Sequence, residues 1–209
     1  MNDIMQMVKR QRELDFEPGE KYAYTNTGYN LLAAIVEKVS RQSFPEWMQE
    51  HVFKPLGMHS SFFLTDHKAV IKHLAYAYTL RDNSFVKAPG MVTAYGSNCL
   101  ITSVNDLAKW AIHFEKKLAA KDPVYVRMLE DGVLNNGEKV HYGYGLATAD
   151  YRGAKMVMHT GRWGSYQTYI SMFPDEHFAL IVFSNASNFT RDRCVAAVTD
   201  LFLGKRLEP

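Results

Sequence analysis

Residues 166–184 read YQTYISMFPDEHFALIVFS, two runs rich in β-branched and aromatic residues on either side of Pro174-Asp175-Glu176. That turn composition predicts a hairpin with strands Tyr166–Phe173 and Phe178–Ser184. Within the second strand, Phe178-Ala-Leu-Ile-Val-Phe183 does not alternate between apolar and polar residues. A strand apolar on both sides is usually covered on both faces, so helices are expected above and below this sheet. Upstream, Arg152-Gly153 predicts a turn into a strand over Lys155–Thr160, and a further strand opens at Tyr142-Gly-Tyr-Gly-Leu-Ala-Thr148. Downstream, residues 190–203 place Val195, Val198, Leu201 and Phe202 on one helical stripe, one candidate cover for the sheet.

The first half of the chain has a different period. Residues 3–14 predict a short polar helix, ended by the turn residues Glu17-Pro18-Gly19. From Gly28 to about Arg41 the apolar positions Leu32, Ile35, Val36 and Val39 recur at helical spacing, with Thr27 available as a cap. Ser43-Phe44-Pro45-Glu46 matches a capping box, and Pro55-Leu56-Gly57-Met58 ends the helix that follows. A hairpin is expected around Asp82-Asn83. Ser103-Val104-Asn105-Asp106 then caps a helix whose Leu107, Ala108, Ala111 and Phe114 share a face, and a shorter helix covers 123–131. The expected fold class is α+β: an antiparallel sheet flanked by helices over about 136–209, and a mainly helical part over about 1–135, within one domain of 209 residues.

Composition excludes several function classes. The 24 basic and 22 acidic side chains are interspersed, so a net charge of +2 points to neither nucleic acid nor a membrane surface. No apolar run approaches the roughly 18 residues that span a bilayer, and residues 1–15 are too polar for a signal peptide. Cys99 and Cys194 fit no metal or redox spacing and are expected to be buried thiols. The eight histidines include no His-Glu-x-x-His and no close ligand pair, and no Gly-x-x-x-x-Gly-Lys loop occurs. No metal or cofactor is therefore expected.

Two short motifs carry chemistry. Tyr24-Thr25-Asn26 precedes a helix, in the kind of loop where function concentrates. A tyrosine beside cations can act as a general base, and an asparagine amide can orient a substrate amide through paired hydrogen bonds. The second motif, His159-Thr160-Gly161, closes a predicted strand, and Gly161 and Gly164 permit close approach of another backbone or a ligand. A histidine and a hydroxyl aimed from that strand into a cleft can bind a carboxylate or tune a nucleophile, and a neighbouring backbone N–H can join an oxyanion hole.

Taken in order, Phe16-Glu-Pro-Gly19, Tyr24-Thr-Asn26 with Gly28-Tyr29, Pro55-Leu-Gly-Met58, Ser103-Val-Asn-Asp-Leu-Ala108, Tyr142-Gly-Tyr-Gly145, His159-Thr-Gly161 and Phe183-Ser-Asn185 resemble the serine β-lactamase and penicillin-binding-protein superfamily. The likeness is to the branch of class C β-lactamases, D-alanyl-D-alanine carboxypeptidases and related esterases, and it covers essentially the whole chain. It implies an acyl-transfer serine hydrolase acting on a β-lactam, a D-amino-acid peptide or an ester. In that likeness Tyr24 exchanges protons with nucleophile and leaving group, and Asn26 orients the substrate amide. His159 stands where many members have lysine, Thr160 and Gly161 complete the substrate-binding triplet, and Arg162 lends a backbone N–H to the oxyanion hole. A cell-envelope or secreted location is implied as well.

One element of the pattern is missing. The nucleophile of this superfamily is the serine of a helical Ser-x-x-Lys that precedes Tyr-x-Asn, one turn placing the lysine beside the serine. No serine occurs before Ser40, so the chain is expected to start after the nucleophile and to hold a fold incomplete at its N-terminus. The literal match Ser84-Phe85-Val86-Lys87 lies after Tyr24, between turn-forming residues, and is expected to be a chance match in a hairpin. Without the preceding segment, Phe178–Ser184 becomes an exposed sheet edge, predicted to pair with a second copy of the chain or with a separate N-terminal fragment. The alternative reading of the whole chain is a non-catalytic module that binds through Tyr24, Asn26 and His159.

Overall fold

A computed structural model of the chain describes residues 2–88 and 94–207. In chain order it contains α1 (Asn2–Lys9), α2 (Asn26–Ser40), α3 (Phe44–Met48), β1 (Phe62–Phe63), β2 (Tyr78–Arg81), β3 (Ser84–Lys87), β4 (Leu100–Ile101), α4 (Val104–Ala119) and α5 (Pro123–Arg127). Then follow β5 (Tyr142–Gly143), β6 (Leu146–Tyr151), β7 (Ala154–Trp163), β8 (Tyr166–Phe173), β9 (Phe178–Ser184) and α6 (Arg191–Leu203). The chain divides into two compact units. One runs to Ile71 and takes up the segments ending at Asp106 and spanning Val133–Glu138; the other holds the β2–β3 hairpin, Leu107–Gly132 and everything from Lys139 onward.

The second unit is built on a five-stranded antiparallel meander in the order β5-β6-β7-β8-β9. The hairpin expected at 166–184 has the predicted bounds, with a 3₁₀ turn over Pro174–Glu176. Arg152 and Gly153 both have positive φ, as do Tyr144 and Gly145, which suits the tight turns that match strand twist. The turn at Tyr144-Gly145 corrects the expectation of one strand through Tyr142–Thr148: the segment folds back on itself into β5 and β6. An aromatic residue in the left-handed region gives no advance signal of a turn.

Helices cover both sheet faces, as the apolar strand required. Ala111 and Phe114 of α4 pack with Leu146, Val157 and Met172 on one side, with Tyr125 of α5 against them. On the other, Leu203 of α6 joins Ala154, Met156 and Phe173. The buried stripe of α6 is Val195, Thr199 and Leu203, whereas Leu201 and Phe202, expected inside, are 79% and 65% exposed. A strict i, i+4, i+8 row therefore faces the sheet, and the threonine within it disguises the row as polar. Among the described residues β9 pairs with β8 alone and ends the sheet. Its residues are half-buried apart from exposed Ala179, less enclosed than a doubly covered strand, because its outer side has no neighbouring strand.

The first unit is organised around α2. Thr25, not Thr27, is its cap: the Thr25 hydroxyl accepts from the Thr27 N–H at 3.1 Å. The face that packs is also different from the apolar stripe. Asn30 and Ala33 are buried, while Leu32, Ile35 and Val39 are exposed. The Asn30 Oδ1 accepts from the Ser97 N–H at 3.1 Å and its hydroxyl at 2.8 Å, and the Tyr95 hydroxyl donates to Glu37 at 3.0 Å. Burial and that carboxylate push the Tyr95 phenol up to about 12. Gly96, at φ +106, lies so close to Tyr29, Asn30 and Ala33 that a Cβ would collide with the helix. Hydrogen bonds therefore choose the packed face over hydrophobicity. The capping box at Ser43 and Glu46 forms as expected.

Other differences concern lengths. α1 stops at Lys9, short of position 14, since exposed residues 10–14 offer no packed face to extend it. α5 stops at Arg127, short of 131, and tightens into i→i−3 turns in which the Leu129 and Glu130 N–H groups donate to the Val126 and Arg127 carbonyls while Met128 and Leu129 pack against the core. The Ser103 hydroxyl accepts from the Asp106 N–H, and buried Asp106 accepts from the Ser60 N–H at 2.7 Å and the Ser61 hydroxyl at 2.9 Å. The two cysteines are free thiols, half-buried rather than buried.

Candidate active site

β7 is longer than the predicted Lys155–Thr160, so His159-Thr160-Gly161-Arg162 lies inside a strand rather than at its end. Pairing with β6 extends to Met158, whereas pairing with β8 continues to Trp163. Among the described residues, Thr160–Trp163 thus has a paired strand on one side only. No described strand pairs with its other side, and a sheet edge of that kind is where an extended substrate can add by backbone hydrogen bonds. Gly161 is required there because a Cβ would run into the hydroxyl of its cross-strand neighbour Thr168. Within the protein, the close approach at Gly161 is made by a side chain of β8. Arg162 is exposed and opposite Gln167, whose Nε2 donates to the carbonyls of Ala186, Ser187 and Phe189 at 3.2, 3.1 and 3.1 Å, fixing the loop that follows β9.

His159 shares its register row with Ile170 and Ile181, the row that packs toward α4. Half-buried there, its imidazole is held below the ordinary histidine value of 6.5, burial being the main cause, partly opposed by a hydrogen bond with the Thr160 backbone. The ring is therefore neutral at neutral pH. Its Nε2 lies 3.1 Å from the Tyr142 hydroxyl on β5, with ring centroids 6.0 Å apart. Tyr142 was not singled out for chemistry from the sequence, although it opens the quoted Tyr142-Gly-Tyr-Gly145.

A pH dependence follows. Between the depressed folded value and the unfolded value, the unfolded chain binds more protons at His159 than the folded one, so stability falls as pH drops below 6.5. Urea midpoints measured at pH about 7.5 and about 5 are expected to differ more in the wild type than in His159→Gln. An equal difference would mean that His159 titrates as it does in water.

Tyr24 and Asn26 flank the capping residue of α2 in the first unit. Tyr24 is 58% exposed, and Asn26, also exposed, is the first residue of the helix, so the Thr25 cap fixes the backbone from which both side chains leave. Tyr22 lies nearby; partial burial, then Tyr24 and Tyr29, raise its phenol above the usual value. Ser84 and Lys87 are the ends of strand β3, exposed throughout, in a hairpin whose Asp82 and Asn83 have positive φ. A strand directs residues three apart to opposite faces, so Lys87 is not placed beside Ser84 as a helical turn would place it. Of the residues flanking this match, Pro89 and Gly90 lie outside the described residues. Among those described, no group of three or more His, Cys, Asp or Glu is placed to hold a metal ion.

The Beta-lactamase family model matches residues 2–205. The chain belongs to the Beta-lactamase family. Within the family it is 29% identical over 196 residues to Penicillin-binding protein 4* of Bacillus subtilis, matching 84% of this chain and 42% of that protein. It is 24% identical over 186 residues to a D-aminopeptidase of Gluconobacter oxydans, 88% of this chain and 35% of that one. Among solved structures, the octameric penicillin-binding protein homologue from Pyrococcus abyssi is 31% identical with a TM-score of 0.75, over 90% of this chain and 44% of that chain. The chain thus spans 35–44% of the length of these relatives, and its family membership fixes the meander and its covering helices as a Beta-lactamase-family fold.

Proposed function

We propose that this chain supplies the proton-transferring and substrate-orienting groups of a serine acyl-transfer reaction. A serine hydroxyl attacks the acyl carbonyl, Tyr24 takes the hydroxyl proton and returns it to the leaving group, and Asn26 orients the amide. The Arg162 N–H donates to the oxyanion, while Thr160 and Gly161 line the substrate beside neutral His159. The observation that carries this reading is that, among the described residues, β7 beyond Met158 pairs with β8 alone, so the His159-Thr160-Gly161 triplet runs along an edge of the sheet. A relative that is a D-aminopeptidase and another that is a penicillin-binding protein favour substrates of the D-amino-acid peptide or β-lactam class. The serine itself would come from a Ser-x-x-Lys segment; residues 1–23 of this chain hold no serine.

Self-association through the outer edge of β9 belongs to the same proposal. An unpaired apolar edge is a template for another strand, and the Pyrococcus abyssi homologue is an octamer. A Ser-x-x-Lys-bearing segment in place of a second copy is the other occupant of that edge.

Intact-mass spectrometry after incubation with a penicillin or a fluorophosphonate tests the reading. The 209-residue chain and a version extended at its N-terminus by a helical Ser-x-x-Lys segment are compared. A single covalent adduct is expected in the extended protein alone, with the shorter chain sedimenting as the larger assembly. An adduct on the shorter chain moves the nucleophile to a residue already in the sequence, and Ser84 would be mapped first. A folded extended protein without any adduct favours the non-catalytic binding module.

A further inference from the structure

His159 reaches its position by strand register, but register does not fix how an imidazole ring is rotated or which nitrogen carries its proton. A neutral ring has one donor and one acceptor nitrogen, and only one of the two arrangements serves a given substrate contact. The group that settles this must touch a ring nitrogen. Tyr142 does so from β5, reaching past the intervening β6 to bring its hydroxyl to 3.1 Å from Nε2. We propose that Tyr142 is the positioning residue for His159, its hydroxyl donating to Nε2 and so fixing both the rotation of the imidazole and the tautomer with its proton on Nδ1.

Two physical arguments give the bond this direction. An imidazole lone pair is a far better acceptor than a phenol oxygen, and the phenol is a competent donor. With Nε2 accepting, the ring proton resides on Nδ1, and the upward influence of the Thr160 backbone on His159 is what a carbonyl accepting a ring N–H produces. The tilted ring packing, at 59° between planes, adds a steric limit to ring rotation. Tyr142 itself is anchored by a short strand whose register pairs Tyr142 with Ala147 and Gly143 with Leu146, and by the Gly132 N–H, which donates to its carbonyl at 3.0 Å. Gly143 is packed so tightly against the Glu130 backbone that a Cβ could not fit, so the strand bearing the phenol has little room to move.

This role rests on the acyl-transfer reading for its purpose but not for its test. Long-range ¹H–¹⁵N NMR of the histidine rings in the 209-residue chain, without substrate, reads the tautomer directly. His159 is expected to show a protonated Nδ1 and an accepting Nε2 in the wild type. In Tyr142→Phe, which removes one oxygen and keeps the ring packing, the tautomers are expected to mix and the His159 titration midpoint to move upward, because the neutral ring loses its donor. A protonated Nε2 in the wild type overturns the proposal, and so does a Tyr142→Phe protein whose His159 signals and titration are unchanged. The wild-type tautomer alone decides the matter if the variant folds poorly. Failure of the acylation experiment leaves these spectra as they are, so the two readings stand or fall separately.

Discussion

Val157→Asp is expected to leave the sheet-bearing unit unfolded. Val157 is 0% exposed, on the central strand β7, and sits in one cluster with Ala111, Phe114, Leu146 and Met172. A carboxylate there would lie among aliphatic and aromatic carbons with no cation in the cluster. It would either stay ionised without solvent or take up a proton, and each route costs several kcal/mol, on the order of the 5–15 kcal/mol total stability of an ordinary domain. Far-UV circular dichroism and amide NMR dispersion report the outcome. Val157→Thr, nearly the same shape with one buried hydroxyl, is expected to fold with a loss of about 1–3 kcal/mol. An aspartate variant with native dispersion would show that this face of β7 is open to water.

Tyr24→Phe is expected to have the opposite profile. Tyr24 is more than half exposed on the loop before α2, so removing its hydroxyl strips little packing, and the denaturation midpoint should hold within about 0.5 kcal/mol. In the acylating, N-terminally extended protein, the same atom is the proposed proton carrier. Loss of a general acid–base group lowers rates by about 10²–10⁴-fold, and the acylation rate with a penicillin should fall within that range. Stopped-flow acylation and urea denaturation on the same sample separate the two effects. Parallel losses in both would make Tyr24 a packing residue; no loss in either would place proton transfer elsewhere.

The sheet was legible where the chemistry of the chain leaves no choice. Pro174 cannot continue the β8 ladder, and the apolar run after it has nowhere to go but back along β8, so Tyr166–Phe173 and Phe178–Ser184 were readable to the residue. The Asp82-Asn83 turn and the Gly153 of the β6–β7 turn announced themselves through residues that tolerate positive φ. Tyr144 did not, because an aromatic side chain in that conformation is held by its surroundings rather than by preference. On α2 the apolar stripe was a real pattern with the wrong meaning. Asn30 and Glu37 bond to Ser97 and Tyr95, partners that lie 67 and 58 residues away in the chain and that no local pattern can foresee. The candidate site divided in the same way. Tyr24, Asn26 and the His159 triplet were visible as motifs, while Tyr142 became meaningful only when β6 turned back and brought β5 within reach of His159.

The meander has a kinetic consequence. Each strand from β5 to β9 is hydrogen-bonded to its neighbour in sequence, and the connections are as short as Tyr144-Gly145, Arg152-Gly153 and Gly164-Ser165. Closing such loops takes little chain entropy, and isolated hairpins form in about 1–10 μs, so the five strands can assemble by successive local zippering without a long-range search. The slow step in folding then falls to the partners drawn from elsewhere in the chain. Phe114 must find Val157 across 43 residues, and Tyr78 must bring its amide to the Asn185 carbonyl across 107. The sheet is thus the part of this protein made early, and its covering helix α4 is what its completion waits for.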